Sequence, residues 1–335
     1  MQTNFPLVKV SGSYGDIGHA IGTQMGKVIR EIILESKQQY SDYASYLEAS
    51  RSYFELTEVV FPQYMLELRA IAKAAGVSEY DYFLFNNHEV FDPEREYDLA
   101  HAADHCTIAV SKNAHGSIVG HNEDWHATEL RQLYLLDATI NDTRFFSLNY
   151  AVTIPGLAAG INNWGLIQCI NTLHSVSKMG VPRNFIARAI LECKSIDEAV
   201  KLFELTKRGS GYNHVLVQGT TLVNIEVSGH EVAIDKIESD TYVHTNHFIS
   251  LLDAEEFHTK SSEARFVRAT ELVRPKMTIK NMQTLLADTE NKANPICRED
   301  ETIASLVFDT TKNDVYICRG HPCANEFISY NALGQ

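Results

Sequence analysis

Apolar residues recur along this chain with two different periods, and the change of period divides it. Over residues 13–40 the spacing is helical, with Ile17, Ile21, Met25, Val28 and Ile32 three or four positions apart. Gly18, Gly22 and Gly26 make a second stripe on the same helix at i, i+4, i+8. Each glycine costs about 1 kcal/mol of helix propensity against alanine. The stripe therefore predicts a closely packed neighbour that offsets the cost; a ligand lying along it is the lesser alternative. Pro62 suits the first turn of a helix through Met65, Leu68, Ile71 and Ala75, and Gly76 can end it. Ser78 with Asp81 reads as a capping-box start for a helix carrying Phe83, Leu84 and Val90. Residues 92–98 break the periodicity and predict an exposed acidic loop.

From residue 106 the period falls to two. Cys106, Ile108 and Val110 alternate, and an extended run restarts at residues 117–119, after a stretch at 113–116 of turn composition. The pattern predicts an antiparallel hairpin of residues 106–112 and 117–124. Its register puts Cys106 opposite Glu123 or Asp124. Paired strands lie about 5 Å apart, so a thiol and a carboxylate should sit side by side. Further strands are predicted at 132–136, 144–148 and 160–171, the last folded at Asn163-Trp-Gly165. Residues 183–207 read as two helices, with Ser195 capping the second. Strands follow at 215–217 and 222–227, helices at 261–273 and 280–288, and a last hairpin pairs 303–308 with 315–318. Strand runs separated by blocks of helices predict an α+β protein with helices covering both faces of antiparallel sheets.

Composition narrows the choice of partners. A chain of 335 residues with 44% hydrophobic content can bury a large core. Its formal charge of −14 argues against nucleic acid or an anionic membrane as partner. No apolar run approaches the roughly 20 residues of a membrane span, and the first residues lack a signal-peptide pattern. Six cysteines in a chain of this length do not make a disulfide scaffold. A reduced, cytoplasmic protein is expected.

The hairpin carries a resemblance. Cys106-Thr107, an extended run, a glycine turn and then Gly120-His-Asn-Glu-Asp124 resemble the acyl-coenzyme A:6-aminopenicillanic acid acyltransferase (isopenicillin N acyltransferase-like) family of N-terminal nucleophile (Ntn) hydrolases. The resemblance implies a four-layer αββα sandwich. It implies a precursor that cuts itself before the cysteine, giving residues 1–105, mostly helical, and 106–335, the catalytic body, which stay associated as one unit. Cys106 then supplies the nucleophile and its α-amine the base. Asp124, eighteen positions after the cysteine, would orient that amine, and Asn246 in segment 243–248 would donate to the oxyanion. Asn171 and Arg319 resemble residues near the substrate in related enzymes. The substrate would be a small-molecule amide or acyl thioester; no cofactor is expected, with a coenzyme A thioester possible as acyl donor. One position departs from the pattern. His105 precedes the nucleophile where such acyltransferases carry glycine, and a β-carbon there makes the strained backbone of self-cleavage harder to reach. Its imidazole can equally shuttle a proton.

The chemistry fits the residue types. A free thiol has a pKa of about 8.5 and reacts as the thiolate. An α-amine of pKa about 8 on the same residue is a matched base. Losing one oxyanion donor typically costs about 3–4 kcal/mol. Plainer readings stand beside these: Cys106 as a buried core residue, Asp124 as a strand-end acid, and Asn171 and Asn246 as turn formers. His115, His121 and His126 lie six and five positions apart, which matches no zinc motif. Cys318, His321 and Cys323 lack a second ligand pair. No metal is expected. Two rival functions remain, an uncleaved cysteine hydrolase with His105 or His247 as base, and a binding protein without activity on the same fold.

Overall fold

The computed structural model describes residues 4–38, 40, 42–87, 106–175, 178–205, 208, 209, 211–251, 256, 257 and 259–333. Two sheets dominate. The larger has eight strands in the order β1 (Leu7–Ser11), β4 (Leu133–Ile140), β5 (Thr143–Tyr150), β6 (Ala159–Asn162), β7 (Leu166–Thr172), β9 (Tyr212–Gln218), β10 (Thr221–Val227) and β11 (Val232–Lys236). The smaller runs β12 (Thr241–His244), β2 (Thr107–Lys112), β3 (Ser117–Asp124), β14 (Thr302–Asp309), β15 (Asp314–Arg319) and β16 (Phe327–Tyr330). β8 (His174–Ser175) and β13 (Glu256–Phe257) form a separate ribbon. Neighbouring strands in both large sheets are antiparallel except β1, which pairs with β4 in parallel.

Strand alternation builds the layers. On β4, Leu133 and Leu135 point into a core shared with Ile108, Val110, Leu306, Phe308 and Ile317 of the smaller sheet. Tyr134, Leu136 and Ala138, from the same strand, point the other way. They meet α1 (Tyr14–Lys37), α3 (Pro62–Ala75), α4 (Glu79–Asn86), α5 (Arg183–Ile190) and α6 (Ile196–Leu205). The outer face of the smaller sheet offers Ala109, Ile118, Val243 and Val307 to α7 (Lys260–Leu272) and α8 (Ile279–Leu286). The result is the αββα sandwich.

The glycine stripe is a packing device. A β-carbon at Gly18 would strike the Glu67 carbonyl, one at Gly22 the Ile71 carbonyl, and one at Gly26 would lie 3.1 Å from Ala75 Cα. All three neighbours belong to α3, which Gly76 ends in the left-handed region at φ 74°. α3 also carries Glu67, fully buried against Arg188 of α5 at 2.8 Å.

Three details differ from the sequence pattern. α2 (Tyr43–Val60) was not expected; its buried residues are Ser50, Phe54 and Thr57, a face too polar to give an apolar period. β1 is five residues long and at a sheet edge, too short for its alternation to register. The capping box at Ser78 does not form. Ser78 Oγ accepts from the Tyr80 amide at 3.2 Å, but Asp81 is drawn away to Lys37 at 2.5 Å and to the Tyr43 hydroxyl. Ser195 does cap α6, accepting from the Glu198 amide at 3.2 Å. Val90, the acidic stretch 92–98 and His105 lie outside the described residues.

Candidate active site

The hairpin forms as the pattern predicts. Asn113 closes its turn, donating to the Gly116 carbonyl at 2.8 Å while its side-chain oxygen accepts from the His115 and Gly116 amides. Thr107 pairs with Asn122, so Cys106 meets Glu123, with the thiol sulfur 3.5 Å from Glu123 Oε2. Every residue of β3 is buried, including four polar ones in a row, His121, Asn122, Glu123 and Asp124. Buried polar groups need partners. Asn122 donates to the carbonyls of Leu286 and Ile296 at 2.9 and 3.0 Å, tying the strand to the end of α8. Glu123 is gripped from both sides, with His121 Nε2 2.8 Å from Oε2 and the Tyr150 hydroxyl donating to Oε1 at 2.6 Å. Arg298 donates to Asp124 Oδ2 at 3.0 Å. Asp124 Oδ1 is buried with no hydrogen-bond partner among the described residues.

These surroundings disfavour the thiolate in the intact chain. Burial pushes the Cys106 thiol well above its ordinary value, and the Glu123 and Asp124 carboxylates push the same way. A hydrogen bond from the Asp124 main-chain amide opposes them and is outweighed.

A second network holds the Cys106 main chain. Its carbonyl accepts from Asn171 Nδ2 at 3.2 Å and from Arg265 Nη1 at 2.9 Å. Arg265, fully buried on α7, also donates to Thr107 Oγ1 at 2.8 Å and to Asn246 Oδ1 at 3.0 Å. Asn246 in turn donates through Nδ2 to the Thr172 carbonyl at 3.1 Å. Asn171 Oδ1 accepts from Asn213 at 3.1 Å and faces His244 Nδ1 at 3.1 Å. His244 Nε2 lies 3.0 Å from Glu226 Oε1, and Glu226 accepts from the amides of Ile249, Ser250 and Leu251.

Asn171 and Asn246 thus join the Cys106 main chain in one hydrogen-bonded network through Arg265, while Asp124, at the end of β3, is held by Arg298 outside it. Arg319 does not join them. Its guanidinium sits over the Phe5 ring at 5.5 Å, and it is not among the described residues lining the cavity at Cys106. His247 lies against Ser262 Oγ at 2.8 Å and the Phe266 ring. Sequence reasoning missed Arg265, Arg298 and Tyr150, and it weighed His121 only as a metal ligand and set it aside. For Arg265 a signal existed: it falls on the buried stripe of α7 with Ser262 and Ala269, where a cation is out of place unless it is used.

A cavity of about 410 Å³ opens beside the thiol, a size suited to a small molecule. Cys106, Glu123, Tyr150 and Thr172 form part of its wall, with Trp125 and His126 following the strand. Among the described residues, one grouping of potential metal ligands occurs, Cys106, His121 and Glu123. His115 and His126 are not part of it.

A family model of acyl-coenzyme A:6-aminopenicillanic acid acyl-transferases matches residues 111–324, most of the chain. The chain belongs to that family. The matched span opens on β2, past Cys106. Among the relatives of this acyl-transferase family member is a beta-alanyl-dopamine/carcinine hydrolase of Drosophila melanogaster, 24% identical over 220 residues. The match covers 59% of this chain and 57% of that hydrolase. Among solved structures, a mutant of the conjugated bile acid hydrolase from Clostridium perfringens matches with a TM-score of 0.45 at 9% identity. That comparison spans 67% of this chain and 96% of the other.

Proposed function

We propose that this protein is a cysteine amidohydrolase or acyltransferase acting on small N-acyl amides through an S-acyl-Cys106 intermediate, activated by cleavage of the His105–Cys106 bond. The observation that carries the reading is Asp124: a buried carboxylate at the end of the strand paired with that of Cys106, its charge acting on the thiol, with one oxygen held by Arg298 and the other without a partner among the described residues. A free α-amine on Cys106 would give that oxygen a donor. The amine takes the thiol proton, the thiolate attacks the amide carbonyl, and the oxyanion collects hydrogen bonds. Asn246 is the proposed donor; an amide NH₂ has two hydrogens, and the Thr172 carbonyl uses one. Collapse of the tetrahedral state expels the amine, which takes the proton back from the Cys106 amine. Water or a second amine then removes the acyl group. Arg265 and Asn171 keep the Cys106 carbonyl fixed, so the new terminus stays aimed. An acyl thioester, that of coenzyme A included, would load the same thiol.

The Drosophila relative is by name a hydrolase of beta-alanyl-dopamine and carcinine, which favours water over an amine as acyl acceptor. A second reading keeps the chain whole and uses Glu123 as base, supported by its 3.5 Å approach to the thiol and its 2.8 Å contact with His121. Glu123 takes the role that the sequence offered to His247, which lies instead against Ser262 Oγ and the Phe266 ring. The test is a panel of N-acyl amides, including β-alanyl amides, incubated with purified protein and quenched for mass spectrometry. Release of the amine with a transient acyl adduct on the Cys106 peptide is expected. Turnover that survives in Cys106→Ala would overturn both readings.

A further inference from the structure

The chemistry proposed for Cys106 leaves two of its neighbours as mere supports. Their geometry has a second use. The thiol sulfur lies 3.5 Å from Glu123 Oε2, and that oxygen lies 2.8 Å from His121 Nε2. The three donor atoms are all within 4.8 Å of one another, on three buried residues. Tetrahedral zinc with bonds of about 2.0–2.3 Å holds its donors roughly 3.3–3.6 Å apart. The fit needs the histidine–carboxylate contact to open by about half an ångström and the thiol–imidazole separation, within 4.8 Å, to settle at the same spacing. A thiolate, an imidazole and a carboxylate are ligands that zinc takes. Orientation is already provided, because Tyr150 fixes the other oxygen of Glu123 at 2.6 Å. Access is provided too, since Cys106, Glu123 and Tyr150 line the cavity.

We infer that Cys106, His121 and Glu123 form a three-donor site for a thiophilic divalent cation of the Zn²⁺ class, and that filling it masks the thiol. Binding releases the Cys106 proton to solvent. His121 coordinates through Nε2 as a neutral ring, carrying its proton on Nδ1, a buried atom with no hydrogen-bond partner among the described residues. The fourth position faces the cavity and takes water. Masking of turnover rests on Cys106 being the nucleophile; binding of the ion does not.

The test is a titration of the metal-stripped full chain with Co²⁺, followed by absorption. One equivalent should bind with a thiolate-to-cobalt charge-transfer band that Zn²⁺ bleaches. His121→Gln and Glu123→Gln should each weaken binding by at least about tenfold. In parallel, Zn²⁺ should protect the Cys106 peptide from iodoacetamide while exposed Cys323 reacts as before. No thiolate band at saturating cobalt overturns the site, as do variants that bind like the wild type. Protection confined to Cys323 points to a thiol site elsewhere and equally overturns it. Should a variant fail to fold, the wild-type band and the protected peptide decide alone. If zinc binds at Cys106 and amide turnover is unaffected, the site stands and the nucleophile assignment falls.

Discussion

Arg265 donates to the main-chain carbonyl of Cys106 at 2.9 Å, although the two are 159 positions apart in sequence. The same guanidinium holds Asn246 and Thr107, so one buried side chain fixes both the backbone of the candidate nucleophile and the orientation of the proposed oxyanion donor. Arg265→Lys keeps the charge but loses the fork that reaches three acceptors. Misplacing the reacting groups should lower kcat by about a hundredfold with KM little changed. A variant whose KM rises while kcat holds would show that Arg265 belongs to substrate binding instead. The fork also supports the fold, and Arg265→Ala should cost about 2–3 kcal/mol in denaturant unfolding.

Asn246→Ala removes the proposed donor and its bond to the Thr172 carbonyl. Turnover should fall by about a hundredfold or more, with circular dichroism and cooperative unfolding retained. Near-normal kcat on any amide the wild type hydrolyses would exclude Asn246 from the oxyanion.

The stripe on α1 makes a paired prediction. Gly22→Ala drives a methyl group into the Ile71 carbonyl on α3, a main-chain atom with no means of moving aside cheaply, and should destabilise by about 1–3 kcal/mol. At Gly15 the same substitution meets only Ser13 Oγ at 3.6 Å, an ordinary contact, and should stabilise by up to about 1 kcal/mol through helix propensity. Thermal melts of the two variants moving in opposite directions are expected; equal shifts would mean that α1 and α3 do not pack at Gly22.

What the sequence made legible was what short-range periodicity encodes. The β2–β3 register followed from alternation and a turn at Asn113, and the close packing of α1 against a neighbour from glycines four apart, although which neighbour, α3, was not legible. α2 escaped because Ser50, Phe54 and Thr57 do not read as an apolar face. The site was half visible for a related reason. Cys106, Glu123 and Asp124 meet within one hairpin. By contrast, Arg265 and Arg298 reach them from segments whose approach depends on how the smaller sheet is covered. Arg319 lies on a strand of the same sheet as the hairpin that Cys106 leads into, yet its side chain goes to Phe5, a destination no pattern along β15 specifies.

Glu226 ties the site to acid stability. Burial pushes its carboxyl up, but the hydrogen bond and charge of His244 and the amides of Ile249 and Leu251 outweigh burial and hold it below its ordinary value. A carboxyl whose pKa is depressed by folding contributes stability that is present above its unfolded pKa, about 4.3. That stability is lost as pH falls through the folded value. Stability should therefore drop below about pH 4, and Glu226→Gln should flatten that part of the curve while lowering the neutral-pH melting temperature. A variant with the wild-type acid profile would show that the carboxylate is not what holds residues 249–251.

Self-processing follows from what the thiol lacks. In the intact chain, burial and two carboxylates keep Cys106 protonated, and the nearest acceptor, Glu123, is already engaged by His121 and Tyr150. A base on the residue itself removes the difficulty, and only cleavage at 105–106 creates one. Purified protein should therefore show two masses, residues 1–105 and 106–335, eluting together. They have reason to stay together: β1 pairs with β4, and α1 and α3 cover the outer face of the larger sheet. Cys106→Ala should give the intact chain alone, since no sulfur remains to accept the acyl group of His105. His105→Gly, restoring the residue that similar acyltransferases carry, should speed the appearance of fragments by easing the strained backbone. If the wild type stays full length and still hydrolyses amides, the α-amine is not the base, and Glu123 takes its place.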